Sequence, residues 1–399
     1  MTSSIIRKHG SKIFKTDQIP SHTPLKALQR FNLLCDTLYS QLLTWNRITW
    51  LPSPTPFKQL KAFTLFSISL LLSNLLIFFI LTKAVLYYQR DPELTTTAFI
   101  ILIICFGGVT LALSVIPIYT LNRTDICFVY RNVKILRQRL SKDIPHRKVD
   151  IMGLFLHAWI LATIIVPPVT ATVPLFIHNI DPTYFMGRYF PFIPSPLIFL
   201  GRIIGIWIAM LHAVMILSAG VIIITNIWLS MKLSLNLVQR DLGISKDSSI
   251  FRRSSKKHFS IHRQLQIVTT VLNCSLYFTL PIVQIVTFLF AVVMSYVIVK
   301  LHDVVPFPLT IIYAAIVVGI GMIYHFVFPL ITTITTRSED LLRLWNLGEL
   351  SRSGIGTREI RSFGPLRIYV GPFYYIETKA RTTLLGSIFY YTASLLITL

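Results

Sequence analysis

The chain has 399 residues, of which 53% are hydrophobic and 14% are charged, and its mean hydropathy is +0.65. This composition excludes an ordinary soluble domain and indicates a membrane protein. The net charge of +22 would suit a nucleic-acid binder, but the cations flank apolar stretches. There they set topology and attract anionic headgroups, so we expect membrane lipids and no nucleic acid as partners.

The N-terminal segment, residues 1–59, begins as a polar, basic tail. Apolar residues then recur at helical spacing from Leu25 through Phe31 and Leu38 to Leu42 and Trp45. This pattern predicts an amphipathic helix that lies on the membrane or packs under the transmembrane bundle.

Seven apolar stretches follow, and each is long enough, or nearly so, for the roughly 20 residues that a membrane-crossing helix needs. None contains Lys, Arg, Asp or Glu. They are Ala62–Thr82, Leu94–Asn122, Ile151–Ile180, Ile203–Met231, Gln264–Val299, Val304–Thr336 and Thr382–Leu399.

Positive charge gathers on every second connection. Nine Lys and Arg residues precede the first stretch, and eight lie in each of the second-to-third, fourth-to-fifth and sixth-to-seventh connections. The positive-inside rule therefore predicts a cytoplasmic N-terminus and an extracellular C-terminus. We expect an all-α membrane protein with seven transmembrane helices. Its parts would be the N-terminal segment, a six-helix bundle (60–336), a cytosolic anchor (337–381) and a terminal helix (382–399).

The connections differ in character on the two sides. The basic connections keep helical periodicity, which predicts helices that continue into the cytosol and pack together there. The middle external connection is rich in aromatic residues and Pro, and suits either an interfacial belt, which we favour, or a lid over a pocket. Arg202 begins the fourth helix without a carboxylate in its own stretch. It could bind an anionic or carbonyl ligand, but we favour a snorkelling contact with headgroups.

No catalytic constellation, phosphate-binding loop or metal-ligand spacing is present, so we expect neither an enzyme nor a bound cofactor. We expect His157, His178, His212 and His325 to be hydrogen-bonded residues of the bundle. The apolar stretches also contain no Asp or Glu, whereas coupled transporters usually carry ionisable groups within the membrane, so a transporter is disfavoured.

The seventh stretch is the least apolar. Hydroxyl residues recur at steps of three and four, and so share one face of a helix. They are Thr383, Ser387, Tyr391, Ser394 and Thr398. Such a stripe can pack against a neighbouring helix, or it can face water in the pore of an oligomer.

The architecture and the C-terminal sequence resemble those of the arthropod odorant and gustatory receptor superfamily. The residues concerned run from Arg361-Ser-Phe-Gly-Pro-Leu-Arg through Phe373-Tyr-Tyr-Ile to Phe389-Tyr-Tyr-Thr-Ala-Ser-Leu-Leu. Tyr390-Tyr391 stands where gustatory members usually have Thr-Tyr, and Ile397-Thr398 stands where they have Gln-Phe. The resemblance is therefore to a divergent gustatory-like member.

This resemblance implies a chemosensory receptor of the plasma membrane that acts as a ligand-gated, non-selective cation channel. Its subunits would form a homo-tetramer, or a hetero-tetramer with a co-receptor. The terminal helix would line the pore at Ser387, Tyr391, Ser394, Leu395 and Thr398. Ser394 and Thr398 would mark the narrowest point, and Leu395 or Ile397 would supply an apolar seal.

The resemblance also implies a pocket for a small organic ligand between the external halves of the second to sixth helices. The candidate ligand-binding residues are Phe176, His178, Phe199, Trp207, Tyr296 and Tyr313. Two alternatives remain open: a non-conducting receptor or scaffold of the same fold, and a small-solute transporter. In the scaffold the hydroxyl stripe would pack within its own subunit, whereas a transporter would show inverted repeats.

Overall fold

The computed structural model describes residues 22–86, 94–140, 150–176, 181–188, 195–244, 248–303, 305, 307–347 and 360–398. Within these residues, six helices are long and apolar enough to cross a membrane. They correspond to the first six predicted crossings. The terminal helix has 19 residues, is less apolar, and packs beside the last two of the six.

The helices are α1 (Pro24–Leu38), α2 (Lys61–Leu86), α3 (Thr96–Leu121), α4 (Arg123–Leu140), α5 (Ile151–Ala171), α6 (Val173–Phe176), α7 (Pro182–Gly187), α8 (Ser195–Ile244), α9 (Ser248–Leu276), α10 (Thr279–Lys300), α11 (Phe307–Leu347) and α12 (Ala380–Thr398). Two antiparallel hairpins join β1 (Leu43–Trp45) to β2 (Pro52–Pro54) and β3 (Tyr369–Val370) to β4 (Tyr374–Tyr375). A 3₁₀ turn, Phe57–Gln59, precedes α2.

The predicted amphipathic helix is α1, which starts at Pro24 after a Thr23 cap and buries Leu28 and Phe31. The prediction was wrong beyond Leu38, because Leu42 and Trp45 belong to the first hairpin region rather than to the helix. Spacings of four and three fit a helix, but in β1 the alternation of buried Leu43 and Trp45 around an exposed residue is that of a strand.

The helix α1 docks against α5 and α8 at very close range. The Asn226 side chain on α8 donates to the Pro24 carbonyl at 3.2 Å, and the Asp150 backbone N–H donates to the His22 carbonyl at 3.2 Å. Gly153 on α5 makes the approach possible, because a Cβ there would lie 1.9 Å from the His22 carbonyl oxygen. The N-terminal segment is therefore part of the packed structure.

Helices continue past the membrane-spanning lengths, as the periodicity predicts. Helix α8 runs for 50 residues and α11 for 41, while α4 follows α3 after a break at Asn122. Their far ends pack with α9 and with residues 360–376 into what we call the distal bundle. Its centre is an aromatic cluster of Phe259, His262, Trp345 and Phe363, with Trp345 fully buried.

The fifth apolar stretch, Gln264–Val299, is two helices rather than one crossing. Helix α9 ends at Leu276 in the distal bundle, and α10 starts at Thr279 as the membrane-spanning part. Pro281 explains the break, because it has no N–H to donate to the Tyr277 carbonyl. Asn273 on α9 then binds the last segment, donating to the Arg367 carbonyl at 2.8 Å and accepting from the Tyr369 N–H at 3.2 Å.

Candidate functional site

One side of α12 packs against α10 and α11, and many of its other residues are exposed in the described structure. Ile388 is the buried residue of the helix. Leu384, Leu385 and Leu395 pack on the main hydrophobic core. The predicted apolar-seal candidate Leu395 therefore lies on the side that faces the other helices of the subunit.

The hydroxyl stripe lies next to this packed side. Tyr391, Ser394 and Thr398 are exposed, Ser387 is half-buried, and the Thr398 hydroxyl donates to the Ser394 carbonyl.

A further side of α12 carries large exposed residues. They are Phe389, Tyr390 and Ile397, which are 75%, 69% and 88% exposed. Hydroxyl groups and large apolar groups are thus both available to other molecules.

Close to α12, polar side chains of α10 form hydrogen bonds with α11 and with β4. The Thr287 and Tyr324 hydroxyls lie 2.7 Å apart and are partly buried, and the Gln284 amide donates to the more exposed Tyr374 hydroxyl. One turn along, Phe288 meets the Tyr391 ring edge-to-face at 5.7 Å. The sequence analysis missed this cluster. Gln284 and Thr287, a polar pair at i and i+3 in an apolar helix, were the signal.

Two of the predicted ligand-binding residues come together. Tyr313 on α11, which is 4% exposed, and Tyr296 on α10 belong to one hydrophobic cluster, where Met294 is also buried. Ile101 and Ile104 of α3 complete it. This tyrosine cluster therefore spans three membrane helices.

The other four candidates are not part of that cluster in the described structure. Phe199 on α8 lies beside the Arg202 guanidinium, with 5.9 Å from its ring centroid to Cζ. Trp207, also on α8, is 48% exposed. Phe176 ends α6, and only its backbone is described, while His178 lies outside the described residues.

Arg202 pairs with Asp181, so the expectation of a snorkelling contact was wrong. The two side chains are 11% and 4% exposed. Asp181 also caps α7, accepting from the Tyr184 backbone N–H at 2.9 Å and from the Thr183 hydroxyl. Because Asp181 lies in the connection before α8, a search for partners within the apolar stretch could not find it.

The described part of the middle external connection packs inward. The Tyr184 ring lies 5.3 Å from the Arg202 Cζ atom. Phe185 is 4% exposed and packs with Ile77 of α2 and Leu102 of α3. These aromatics pack on the ends of the membrane helices next to this connection rather than forming an interfacial belt. The remaining predicted belt residues, 189–194, lie outside the described residues.

Two of the four predicted bundle histidines are hydrogen-bonded. His212 lies between the Tyr39 hydroxyl, 2.7 Å from Nδ1, and the Ser67 hydroxyl, 2.9 Å from Nε2. His157 Nδ1 lies 2.6 Å from the Gly153 carbonyl oxygen. His325 is exposed instead.

The fold is that of a multi-pass membrane protein in which long helices continue into a second bundle and a short, partly polar helix ends the chain. No protein-family model and no curated protein matches the sequence. The structure of the insect olfactory receptor OR5 from Machilis hrabei in complex with eugenol is similar, with a TM-score of 0.65 and 11% identity over 94% of this chain and 98% of that one.

A second structure of OR5 from Machilis hrabei has a TM-score of 0.59 and 13% identity over 93% of this chain and 97% of that one. The chain therefore has the insect olfactory receptor fold along nearly its whole length. The predicted resemblance to the odorant and gustatory receptor superfamily is confirmed at the level of the fold.

Proposed function

We propose that the protein is a chemosensory receptor of the plasma membrane that acts as a ligand-gated, non-selective cation channel. The observation that carries this proposal is the exposure of Tyr391, Ser394 and Thr398 on α12. The Tyr391 ring meets Phe288 of α10, but Ser394 and Thr398 stay exposed in the described structure, whereas the scaffold alternative expects the whole stripe to pack within its own subunit. Around a shared axis they would give a polar lining suited to hydrated cations.

The proposed assembly is a homo-tetramer or a hetero-tetramer with a co-receptor, with one α12 from each subunit around the pore. The proposed ligand is a small, mostly apolar organic molecule, because the tyrosine cluster combines aromatic and aliphatic surface with two hydroxyl groups. The similar OR5 structure holds eugenol, a small organic molecule. Ligand binding near Tyr296 and Tyr313 would act on α10 and α11, the two helices against which α12 packs.

Cysteine accessibility during current recording tests the pore. Residues 387–399 are replaced by Cys one at a time in a background in which the exposed native Cys274 is Ser. A charged thiol reagent should block the current at positions 391, 394 and 398 and have little effect at 388, which is buried against the core. Block at every exposed position alike, or at none, would contradict the proposed lining.

Bulky substitutions provide a second test. Ser394→Trp and Thr398→Trp should abolish the ligand-evoked current without preventing surface expression, because an indole would fill a narrow pore. Phe389→Trp is the matched control, since it changes an exposed aromatic residue on the opposite side of α12 and should conduct. Unchanged conductance in both stripe variants would leave the non-conducting receptor or scaffold as the better explanation.

A further inference from the structure

The N-terminal segment and the membrane helices enclose a small cavity of about 20 Å³. Asn32, Cys35 and Gln41 line it from the N-terminal side. Tyr119 of α3 and Ala219 of α8 line the opposite wall. The cavity therefore lies where the N-terminal segment joins the bundle.

Two polar atoms of the lining are buried without a partner among the described residues: the Tyr119 hydroxyl oxygen and Gln41 Nε2. Tyr119 as a whole is 5% exposed. On α8, a Cβ added at Gly220 would lie 3.5 Å from this hydroxyl, which is an ordinary van der Waals contact. Burial raises the pKa of the Tyr39 phenol, and the nearby Gln41 side chain lowers it in part. Gln41 Nε2 nevertheless makes no hydrogen bond of acceptable geometry with the described residues.

Such atoms are rare in native proteins, because each costs free energy unless a hydrogen bond replaces the water lost on burial. A cavity of this volume admits one water molecule, which needs roughly 10–15 Å³, and it is far too small for an organic ligand. The Gln41 amide N–H is a donor and would repel a cation. An amide donor and a tyrosine hydroxyl in the lining of one cavity instead suit a water that accepts from the amide and exchanges a hydrogen bond with the hydroxyl.

We propose that this cavity is a binding site for one ordered water molecule, which bridges the Gln41 amide and the Tyr119 hydroxyl. The water would tie the segment after α1 to α3. The direct contacts of Tyr39 and Ser67 with His212 already tie the same segment and α2 to α8. The contact between the N-terminal segment and the membrane helices would then be stabilised by hydrogen bonds as well as by the apolar packing of α1.

The direction of a stability change tests the proposal. If the cavity holds water, Tyr119→Phe removes a satisfied hydrogen bond and should lower the Tm by about 2 °C. If the cavity is dry, the same change removes an unsatisfied hydroxyl, and the Tm should stay the same or rise. Tyr324→Phe calibrates the measurement, because the Tyr324 hydroxyl has a direct partner in Thr287.

Gln41→Met, a near-isosteric change, should also lower the Tm. The double variant should lose less than the sum of the two single losses, because both side chains bind the same water. Additive losses, or a gain in either single variant, would overturn the proposal.

Hydroxyl-radical footprinting of the wild-type protein gives a readout that needs no variant. Radicals formed from a bound water oxidise the side chains beside it, so Cys35, which is 3% exposed, should be oxidised several-fold faster than the fully buried Met231 of α8. Both side chains contain readily oxidised sulfur, which makes Met231 a matched control. Equal protection of the two would show that the cavity holds no water.

Discussion

At the residue scale, the ion pair between Asp181 and Arg202 lies at the end of the bundle that the charge distribution predicts to be extracellular. Both side chains are nearly buried, and the guanidinium also lies over the Tyr184 ring. Removing one partner from such a pair leaves an uncompensated buried charge. The pair thus connects the cap of α7 to the first turns of α8, close to the candidate ligand residue Phe199.

Asp181→Asn should destabilise the protein by about 3 kcal/mol, because it leaves Arg202 buried without its counter-charge. Asn keeps the oxygen that caps the Tyr184 N–H, so the change isolates the ion pair. Thermal unfolding in nanodiscs measures the effect. Thr183→Ala, which leaves the pair intact, should cost far less, and equal losses for the two variants would contradict this account.

His262 should make the distal bundle sensitive to acid. Burial among Phe259, Trp345 and Phe363 lowers the His262 pKa to about 4. An unfolded imidazole binds a proton below about pH 6.5 while the folded one stays neutral, so stability should fall as pH drops from 6.5 to 4, by roughly 3 kcal/mol at most. Unfolding measured across this range should show the slope.

His262→Phe should reduce that slope. Burial also lowers the pKa of His258 in the same helix, although Asp241 acts in the opposite direction. His258 should therefore maintain part of the pH dependence in the His262→Phe variant. His302→Phe, at an exposed position, should leave the slope as in the wild type. A slope that is unchanged in His262→Phe would exclude His262 as its source.

At the element scale, the docking of α1 depends on the absence of a side chain at Gly153. In Gly153→Ala, the new Cβ would clash with the His22 carbonyl. The variant should lose about 1–3 kcal/mol of stability or more, and less of it should reach the cell surface. Gly201→Ala on α8 is the control, because a Cβ there meets nothing within 4 Å. It should be neutral or gain up to about 1 kcal/mol of helix propensity. Equal losses in the two variants would contradict tight docking.

Helix α12 illustrates how a helix of modest hydropathy is positioned. Its sequence is less apolar than the sequences of the six long membrane helices. The contacts of Ile388 and Leu395 with the core, and of Tyr391 with Phe288, place it against α10 and α11. The side chains that stay exposed on α12 are therefore available for contacts with other molecules.

At the scale of the whole molecule, the orientation in the membrane stays a prediction of the charge distribution. An epitope tag before Met1 should be stained only after cells are permeabilised, whereas a tag after Leu399 should be stained on intact cells. The opposite pattern would place the long basic connections outside and would contradict the positive-inside assignment. The same tag on a cytosolic protein and on the outer end of a cell-surface protein verifies that the antibody reaches each compartment.

Much of the fold could be predicted because hydropathy and helical periodicity are properties of single segments. The six long apolar helices, the amphipathic α1 and the extensions of α8 and α11 were all foreseen on that basis. The break before Pro281 was missed, because an unbroken apolar stretch was read as one crossing. The hairpin around Trp45 was missed because, in a segment as short as β1, the same few apolar residues fit both the spacing of a helix and the alternation of a strand.

The candidate sites were less predictable. Composition and periodicity by themselves determined that this is a multi-pass helical membrane protein with a hydroxyl stripe on its last helix. Only the tertiary structure decided that Asp181 pairs with Arg202, that Tyr296 and Tyr313 share a cluster while Trp207 faces outward, and which side of α12 is packed. The physical reason is that lipid and a neighbouring helix are almost equally apolar, so hydropathy does not choose between them. Packing between segments distant in the chain makes that choice.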